Sequence, residues 1–281
     1  MLVYLNGSLV PAEQATVSTF DRGFIFGDGI YEGLRAFGGR IRALDHHVAR
    51  LAGGLHEIRL AWDATQLRQI VPALLDANQL DDAFIYLQVT RGTPGPGQAR
   101  RARVPDGPLA PTVFAFCVPA PTLEQSLEPA GKSAMTAEDF RWQRGHIKSI
   151  SLGANVMAAL MADEHREDDV IFVRDGLVGE GTSTNVVISL DGHLVTPALD
   201  SVSILPGVTR ALTLSGRSGI EARPVTVAEL RRADEVMLVG TLTMVASVVR
   251  LDGAPVGDGC VGPAACDLAQ ALAAQIRANL R

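Results

Sequence analysis

The sequence has few cysteines and no long apolar run, and both absences narrow the class of protein. Its three cysteines, Cys117, Cys260 and Cys266, cannot all pair with one another and lack the spacing of a zinc site. No apolar stretch approaches membrane-spanning length, and the first residues lack the features of a secretory signal. A formal net charge of −6 gives no basic footprint for nucleic acid or an anionic membrane. We therefore expect a cytoplasmic protein with no metal site, no nucleic-acid partner and no membrane partner.

Length and composition predict a two-domain globular protein. The chain has 281 residues, 47% of them hydrophobic, and a mean hydropathy of +0.18, which suits a substantial buried core. The proline-rich residues 119–121 are typical of a linker. We predict a small N-terminal α+β domain over residues 1–118, a linker at 119–121, and a larger C-terminal domain over residues 122–281.

Local patterns predict helices and strands in both halves. In the N-terminal half, Asn6-Gly7 is a strong hairpin signal, and Asp45 is placed to cap a helix. A loop over residues 92–108 is long enough to suspect a function. In the C-terminal half, Leu152, Val156 and Leu160 recur at helical spacing just after Lys148. The strands predicted from β-forming runs are residues 30–37, 83–90, 113–118, 169–173, 185–190 and 233–239, and a closing helix is predicted from Leu268, Leu272, Ile276 and Leu280.

Lys148 and Glu180 are the candidate catalytic residues. A lysine amine and a carboxylate are what an enzyme places around pyridoxal 5'-phosphate (PLP): the amine forms a Schiff base with the aldehyde and moves a proton. The carboxylate keeps the pyridine nitrogen protonated. Glu180 is predicted to fall between two strands, where it can project into a cleft. By themselves, a lysine and a glutamate at this separation are more commonly two solvated surface charges.

A phosphate site is predicted where Pro206-Gly207 leads into a helix that starts at Val208 and Thr209. The N-terminus of a helix presents backbone N–H groups and the positive end of its dipole, and Thr209 adds a hydroxyl. An ordinary helix start has the same composition. Arg50 is either a solvated helix charge or a cationic anchor.

Six sequence blocks resemble the fold-type IV PLP-dependent aminotransferase family, in family order. The resemblance implies an α+β, two-domain fold, a homodimer, and PLP bound by Lys148 and Glu180. It also implies phosphate contacts from Arg50, Val208, Thr209 and Thr241. The blocks are residues 21–32 (DRGFIFGDGIYE), 47–51 (HVARL), 140–149 (FRWQRGHIKS), 180–186 (EGTSTNV), 205–210 (LPGVTR) and 233–241 (ADEVMLVGT).

Within the family, the substrate features are divided. Residues 86–92 (YLQVTRG) and Arg141-Trp142 are most similar to D-amino-acid aminotransferases, whereas residues 31–37 (YEGLRAF) are more like the branched-chain enzymes. The R-x-H carboxylate motif of well-known D-amino-acid enzymes is replaced here by residues 100–103 (RRAR). Guanidinium groups suit carboxylates, although a cluster of arginines in a loop is commonly solvated. We predict that Tyr31, Arg101 and Arg103 bind the substrate.

The sequence therefore predicts a PLP-dependent aminotransferase that exchanges an amino group between a D-amino acid such as D-alanine and 2-oxoglutarate or pyruvate. The alternatives are a branched-chain L-amino-acid aminotransferase, an (R)-amine aminotransferase, aminodeoxychorismate lyase, and a PLP-binding relative without activity. Two false leads are set aside. Residues 27–33 (GDGIYEG) lack the spacing and the following helix of a dinucleotide loop. His46, His47 and His56 point in different directions on their predicted helix, which disfavours a metal site.

Overall fold

The computed structural model describes residues 1–216 and 219–279, and the chain divides into two compact units. The first unit comprises Met1–Thr122 together with Ile147–Leu152. The second comprises Leu123–His146 and the chain from Gly153 onward. Lys148 thus belongs to the first unit, in a short segment that is separated in sequence from Met1–Thr122. The linker at residues 119–121 stays a prediction.

The first unit contains an antiparallel sheet with the strand order β2-β1-β6-β5-β3-β4. The predicted hairpin is confirmed, because Leu5 pairs with Ser8 across Asn6 and Gly7, whose φ angles are 48° and 99°. Such positive angles are typical of the tight turn that suits a hairpin's twist. The strands are β1 (Leu2–Leu5), β2 (Ser8–Pro11), β3 (Gly29–Phe37), β4 (Arg40–Ile41), β5 (Ala83–Thr90) and β6 (Thr112–Pro119).

Two longer helices pack on this sheet, and a short one precedes β3. They are α1 (Arg22–Phe26), α2 (Leu44–Glu57) and α3 (Leu67–Asn78), with 3-10 turns at Ala12–Gln14 and Ala64–Gln66. The helix predicted near Asp45 is present as α2, and its apolar face, with Val48, Leu51 and Leu55, is buried in the core. The predicted cap was wrong: Ala43 precedes the helix in a left-handed conformation, and Asp45 lies in the first turn, paired with Arg68 at the surface.

The second unit is built around a sheet that closes on itself. Its strand order is β12-β11-β10-β13-β14-β7-β8-β9, β15 pairs with β14, and β9 returns to β10 through Glu180 opposite Asn185. The prediction that Glu180 falls between strands was wrong, since this pairing places it inside β9. The strands are β7 (Ala130–Glu138), β8 (Asp169–Arg174), β9 (Leu177–Gly181), β10 (Asn185–Leu190), β11 (His193–Pro197), β12 (Ile220–Arg223), β13 (Glu235–Gly240), β14 (Met244–Leu251) and β15 (Ala254–Pro255).

Four α-helices are described in the second unit, besides a 3-10 turn at Glu124–Ser126: α4 (Gly153–Glu164), α5 (Val208–Gly216), α6 (Val227–Arg231) and α7 (Pro263–Asn279). The helix predicted after Lys148 is present as α4, in which Ala158 and Ala162 pack on β8 while Val156 and Leu160 are exposed. The buried face of α7 carries Leu268, Leu272 and Ile276, as expected. Leu280 lies outside the described residues. Within those residues, no helix has the length and apolar character needed to cross a membrane.

Candidate active site

Lys148 is held against the start of β3 by main-chain hydrogen bonds. The N–H of Tyr31 donates to the Lys148 carbonyl at 3.0 Å, and the N–H of Ile150 donates to the Gly29 carbonyl at 3.1 Å. This pairing fixes the lysine backbone opposite Tyr31. The Lys148 amine, Nζ, lies 4.1 Å from the centre of the Tyr31 ring, within cation–π range. The predicted catalytic lysine and a predicted substrate-binding residue are therefore neighbours.

Tyr31 belongs to a row of aromatic side chains that crosses the sheet. Its ring stacks on Tyr86 at 5.5 Å, and Tyr86 stacks on Phe116 at 5.3 Å. The Tyr86 hydroxyl donates to Oε1 of Gln88 at 2.9 Å. Burial, and to a smaller extent the neighbouring Tyr31, raises the pKa of Tyr86 to about 12. Tyr86 thus stays protonated at neutral pH and acts as a hydrogen-bond donor. The row makes a largely apolar wall beside Lys148.

Glu32 follows Tyr31 on β3 and points to the opposite face of the sheet, toward α2. Its carboxylate is fully buried and accepts from Arg50 twice: Nε donates to Oε1 and Nη2 to Oε2, both at 2.7 Å. His47 Nδ1 lies 2.7 Å from Oε2. Burial raises the pKa of Glu32, but the charge and hydrogen bonds of Arg50, with those of His47, lower it to about 2. The two parallel hydrogen bonds to Glu32 fix the plane of the Arg50 guanidinium.

Glu180 is buried in β9 and is held by donors on both oxygens. Oε1 accepts from Nη1 of Arg141 at 2.7 Å, while Oε2 accepts from the N–H of Leu205 at 3.0 Å and from Nδ2 of Asn185 at 3.3 Å. Arg141 also donates through Nε and Nη2 to Asp139, at 2.9 and 3.0 Å. These donors suit an ionised carboxylate, and Asp139 fixes the arginine that orients it.

The pKa of Arg141 reflects its two carboxylate partners. Burial would lower it, but hydrogen bonds to Asp139 and the charge of Glu180 raise it above the ordinary arginine value. The guanidinium also lies over the Phe172 ring, 4.1 Å from its centre. Arg141 is therefore a fixed positive charge beside Glu180, packed on an apolar surface.

The candidate phosphate residues of the second unit lie at the start of α5 and the end of β13. Gly207 precedes α5, and a Cβ there would sit 1.9 Å from Oδ1 of Asn185, so this position has no room for a side chain. Val208 and Thr209 form the first turn of α5 and are both buried. Thr241 directly follows β13. Backbone N–H groups at such a helix start suit a phosphate.

Arg101 and Arg103 lie in the segment between β5 and β6, which has no helix or strand. Both are exposed. The Arg101 guanidinium lies 5.7 Å from the centre of the Phe26 ring, and the Arg103 carbonyl accepts from Arg22. The predicted pair is therefore close in the chain and attached to the region around α1.

The sequence patterns did not identify the residues that hold Arg50 or the aspartate that holds Arg141 beside Glu180. Glu32 and His47 lie inside quoted motifs, but neither had a role, and Asp139 was not singled out. A signal was present for the first pair: a glutamate within an apolar strand, and a histidine and an arginine three residues apart on one helix face. For Asp139, only its place one residue before the 140–149 block pointed to it. Among the described residues, no group of histidines, cysteines and carboxylates forms a metal site.

Comparison of this chain with known proteins also indicates an aminotransferase. The family model for amino-transferase class IV matches residues 29–251. The chain is 38% identical over 278 residues to D-alanine aminotransferase of Bacillus licheniformis, covering 97% of this chain and 96% of that protein. It is 35% identical over 283 residues to D-alanine aminotransferase of Listeria monocytogenes, covering 98% and 96%.

Solved structures share the fold. Branched-chain aminotransferase from Thermoproteus uzoniensis with norvaline superposes with a TM-score of 0.84 at 26% identity, over 97% of this chain and 93% of that one. Branched-chain amino acid aminotransferase of Escherichia coli gives a TM-score of 0.85 at 22% identity, over 96% and 92%, and supports the fold alone.

Proposed function

The chain belongs to amino-transferase class IV and is a PLP-dependent aminotransferase, and from this premise we propose that it exchanges an amino group between a D-amino acid such as D-alanine and 2-oxoglutarate or pyruvate. The observation that carries the proposal is the identity with D-alanine aminotransferases over nearly the whole length of both chains. Locally, Gln88 supports it: the resemblance places an arginine there in branched-chain enzymes, and here Gln88 accepts from Tyr86 beside Tyr31.

Lys148 is the proposed covalent and proton-moving residue. PLP, when bound, supplies an aldehyde that reacts with amines and a ring that withdraws electrons from the substrate α-carbon. Lys148 Nζ would hold the cofactor through this aldehyde and, once the substrate amine has displaced it, would carry a proton to and from the substrate. Tyr31 packs under this amine and so limits where it can reach. Because Lys148 approaches from one direction, it takes the proton of only one enantiomer.

Glu180 is the proposed partner of the pyridine nitrogen. Arg141, Leu205 and Asn185 all donate hydrogen bonds to Glu180, so the ring N–H would be a further donor of the same kind. Arg141 contributes charge that favours ionised Glu180, and Leu205 and Asn185 hold its second oxygen in place. An ionised glutamate at that position favours the protonated ring.

The phosphate is proposed to bind Arg50, Val208, Thr209 and Thr241. The backbone at the start of α5 offers N–H donors, and the restricted space at Gly207 indicates a tightly packed turn. Arg50 would add a cation whose plane Glu32 already fixes. These assignments rest on the resemblance and on the local geometry of each residue.

The substrate carboxylate is proposed to bind Tyr31, Arg101 and Arg103, in a cytoplasmic homodimer. In the family that this chain resembles, dimer formation brings the loop that contains residues 100–103 of one subunit to the active site of the other. Exposed apolar side chains in each unit support burial at a subunit interface: in the first unit, Phe24 on α1 is 77% exposed and Val104 directly after Arg103 is exposed, and in the second unit Val156, Met157 and Leu160 are exposed on α4. Apolar clusters of this kind are typical of interfaces.

The half-reaction tests the proposal. The PLP form is mixed separately with D-alanine, L-leucine and (R)-1-phenylethylamine, and its conversion to the pyridoxamine form is followed by absorbance. We expect D-alanine to convert the enzyme fastest. Faster conversion by L-leucine would favour the branched-chain alternative, and by the carboxylate-free amine the (R)-amine alternative.

Two further outcomes complete the comparison. Release of pyruvate from aminodeoxychorismate without an amino acceptor would favour the lyase. Absence of conversion by every amine would indicate a PLP-binding relative without activity and contradict the proposal.

A further inference from the structure

Arg22 is a buried arginine that contacts the arginine loop, defined here as the segment from Arg91 to Pro111 between β5 and β6. It lies at the start of α1 and is 4% exposed. Its guanidinium donates Nη1 to the Ala102 carbonyl at 2.6 Å and Nη2 to the Arg103 carbonyl at 2.9 Å. The Arg22 guanidinium thus binds the main chain of Arg103 and of Ala102, the residue between the two predicted carboxylate-binding residues Arg101 and Arg103.

The same residue also contacts the beginning of the loop. The main-chain N–H of Arg22 donates to the Gly92 carbonyl at 3.0 Å. Gly92 has a φ of 88°, and a Cβ there would lie 1.8 Å from the Ala110 carbonyl oxygen. The two ends of the loop therefore approach each other at Gly92, and Arg22 ties this base to the distant Ala102 and Arg103.

Asp28 fixes the direction of the Arg22 side chain. Its Oδ2 accepts from Arg22 Nε at 2.8 Å and from Arg91 Nε at 2.8 Å. Burial raises the pKa of Asp28, but hydrogen bonds and charge from Arg91 and Arg22 lower it overall. Arg91 also donates to the carbonyls of Ile58 and Arg59, at the end of α2. The carboxylate is thus a shared counter-ion that holds both arginines in one geometry.

The helix that carries Arg22 is itself attached to the loop exit. Asp21 caps α1 by accepting from the Gly23 N–H at 2.7 Å, and its other oxygen accepts from the Thr112 hydroxyl at 2.6 Å. A loop that only joined two strands would need no such support, because long surface loops are tolerated at small cost. Burial of an arginine, by contrast, is unfavourable unless its donors are matched.

We infer that Arg22 is a positioning residue that presents Arg101 and Arg103 to the substrate carboxylate. This inference rests on the proposed function of those two arginines. The Arg22 guanidinium fixes the main-chain carbonyls of Ala102 and Arg103. The Arg101 and Arg103 side chains therefore extend from a fixed main chain. Displacement of a binding group by about 1 Å costs up to roughly 100-fold in rate.

The test compares Arg22→Lys with Arg91→Lys. Lysine keeps a charge beside Asp28 in both variants, but it cannot reproduce the planar fork. Only Arg22→Lys removes contacts with residues 102 and 103. We expect KM for 2-oxoglutarate and D-alanine to rise roughly 10- to 100-fold in Arg22→Lys, with less than about 3-fold change in Arg91→Lys. Conversion by (R)-1-phenylethylamine, which has no carboxylate, should change less than about 3-fold in Arg22→Lys.

Hydrogen exchange gives a second readout. Peptides covering residues 99–105 should exchange faster in Arg22→Lys than in the native protein. If Arg22→Lys does not fold, Asp28→Asn serves instead, because it keeps the shape of the carboxylate and removes the charge that directs Arg22. The same selective rise in KM is expected.

The outcomes separate this inference from the proposed function. If Arg101→Ala with Arg103→Ala weakens carboxylate binding but Arg22→Lys does not, the inference is wrong and the carboxylate site stands. If the double variant has no selective effect, the proposed site is wrong. Equal losses for substrates with and without a carboxylate in Arg22→Lys would also overturn the inference, because they indicate general damage.

Discussion

Replacing Glu32 with glutamine keeps the shape of the side chain and removes the buried charge that pairs with Arg50. The pKa of Glu32 falls from 4.5 to about 2. At 1.36 kcal/mol for each pKa unit, this corresponds to about 3 kcal/mol of stability at neutral pH. Breaking one side of a buried ion pair costs a similar amount, about 3–5 kcal/mol, because the other charge is left buried. We therefore expect the variant to lose about 3 kcal/mol.

The assay is thermal unfolding of the cofactor-free protein at pH 7, with Asp45→Asn as the matched control. Asp45 lies on α2, as Arg50 does, but its pair with Arg68 is at the surface and Asp45 is 79% exposed. Surface pairs contribute little, about 0–1 kcal/mol. We expect Tm to fall by about 5–10 °C for Glu32→Gln and by about 2 °C or less for Asp45→Asn. Equal effects of the two variants would refute the reasoning.

Cofactor binding supplies a second measurement on the same variant. If Glu32 orients Arg50 toward the phosphate, Glu32→Gln should weaken PLP binding by about 10-fold. Pyridoxal lacks the phosphate, so its Kd should change little. Parallel weakening of both ligands would mean that Glu32 supports the fold without directing the phosphate anchor.

Three further predictions follow from individual residues. Glu180→Gln should slow the half-reaction by roughly 100-fold while PLP stays bound, because a neutral amide does not favour the ring proton; an unchanged rate in stopped-flow absorbance would mean that the ring nitrogen has another partner. Gly207→Ala should weaken PLP binding by about 10-fold or more, since its Cβ would meet Asn185. The control is Gly53→Ala in α2, which has open space around its Cβ and should leave Kd unchanged and raise stability slightly. Equal Kd values for the two variants would contradict the packing argument. Burial lowers the pKa of His47 below its ordinary 6.5 despite the opposing charge of Glu32, so the unfolded chain binds more protons as pH falls below 6.5 and stability falls with it; Tm measured from pH 7 to 5 should fall less steeply in His47→Gln, and an identical slope would contradict this assignment.

Local elements were predicted well where the signal was short-range. The strand over residues 83–90 was predicted at its observed bounds, and the hairpin at Asn6 and Gly7 followed from turn chemistry alone. The helix after Lys148 was also predicted, but the pattern did not show which of its faces the chain buries. Periodicity finds an apolar face but does not say whether the chain itself covers it, and Val156 and Leu160 remain exposed.

The candidate site was only partly predictable. Lys148 and Glu180 could be proposed from the sequence because their motifs are contiguous. Glu180 was nevertheless predicted to lie between strands, because the local pattern gives strands only at residues 169–173 and 185–190 on either side of it. The pairing opposite Asn185 that makes it a strand residue is a tertiary feature. The contacts from Arg22 to Ala102 and Arg103 join residues about 80 positions apart, beyond any local pattern.

The central assignment is that Lys148 binds PLP covalently, and reductive labelling tests it most directly. Lys132 and Lys148 are the only lysines in the sequence, so Lys132 on β7 is an internal control. The holoenzyme is treated with borohydride, which fixes the cofactor on the amine that holds it, and is then digested and analysed by mass spectrometry. We expect the phosphopyridoxyl group on the peptide that contains Lys148 and none on the peptide that contains Lys132. Label on Lys132 or on the N-terminal amine, with Lys148 unmodified, would contradict the account.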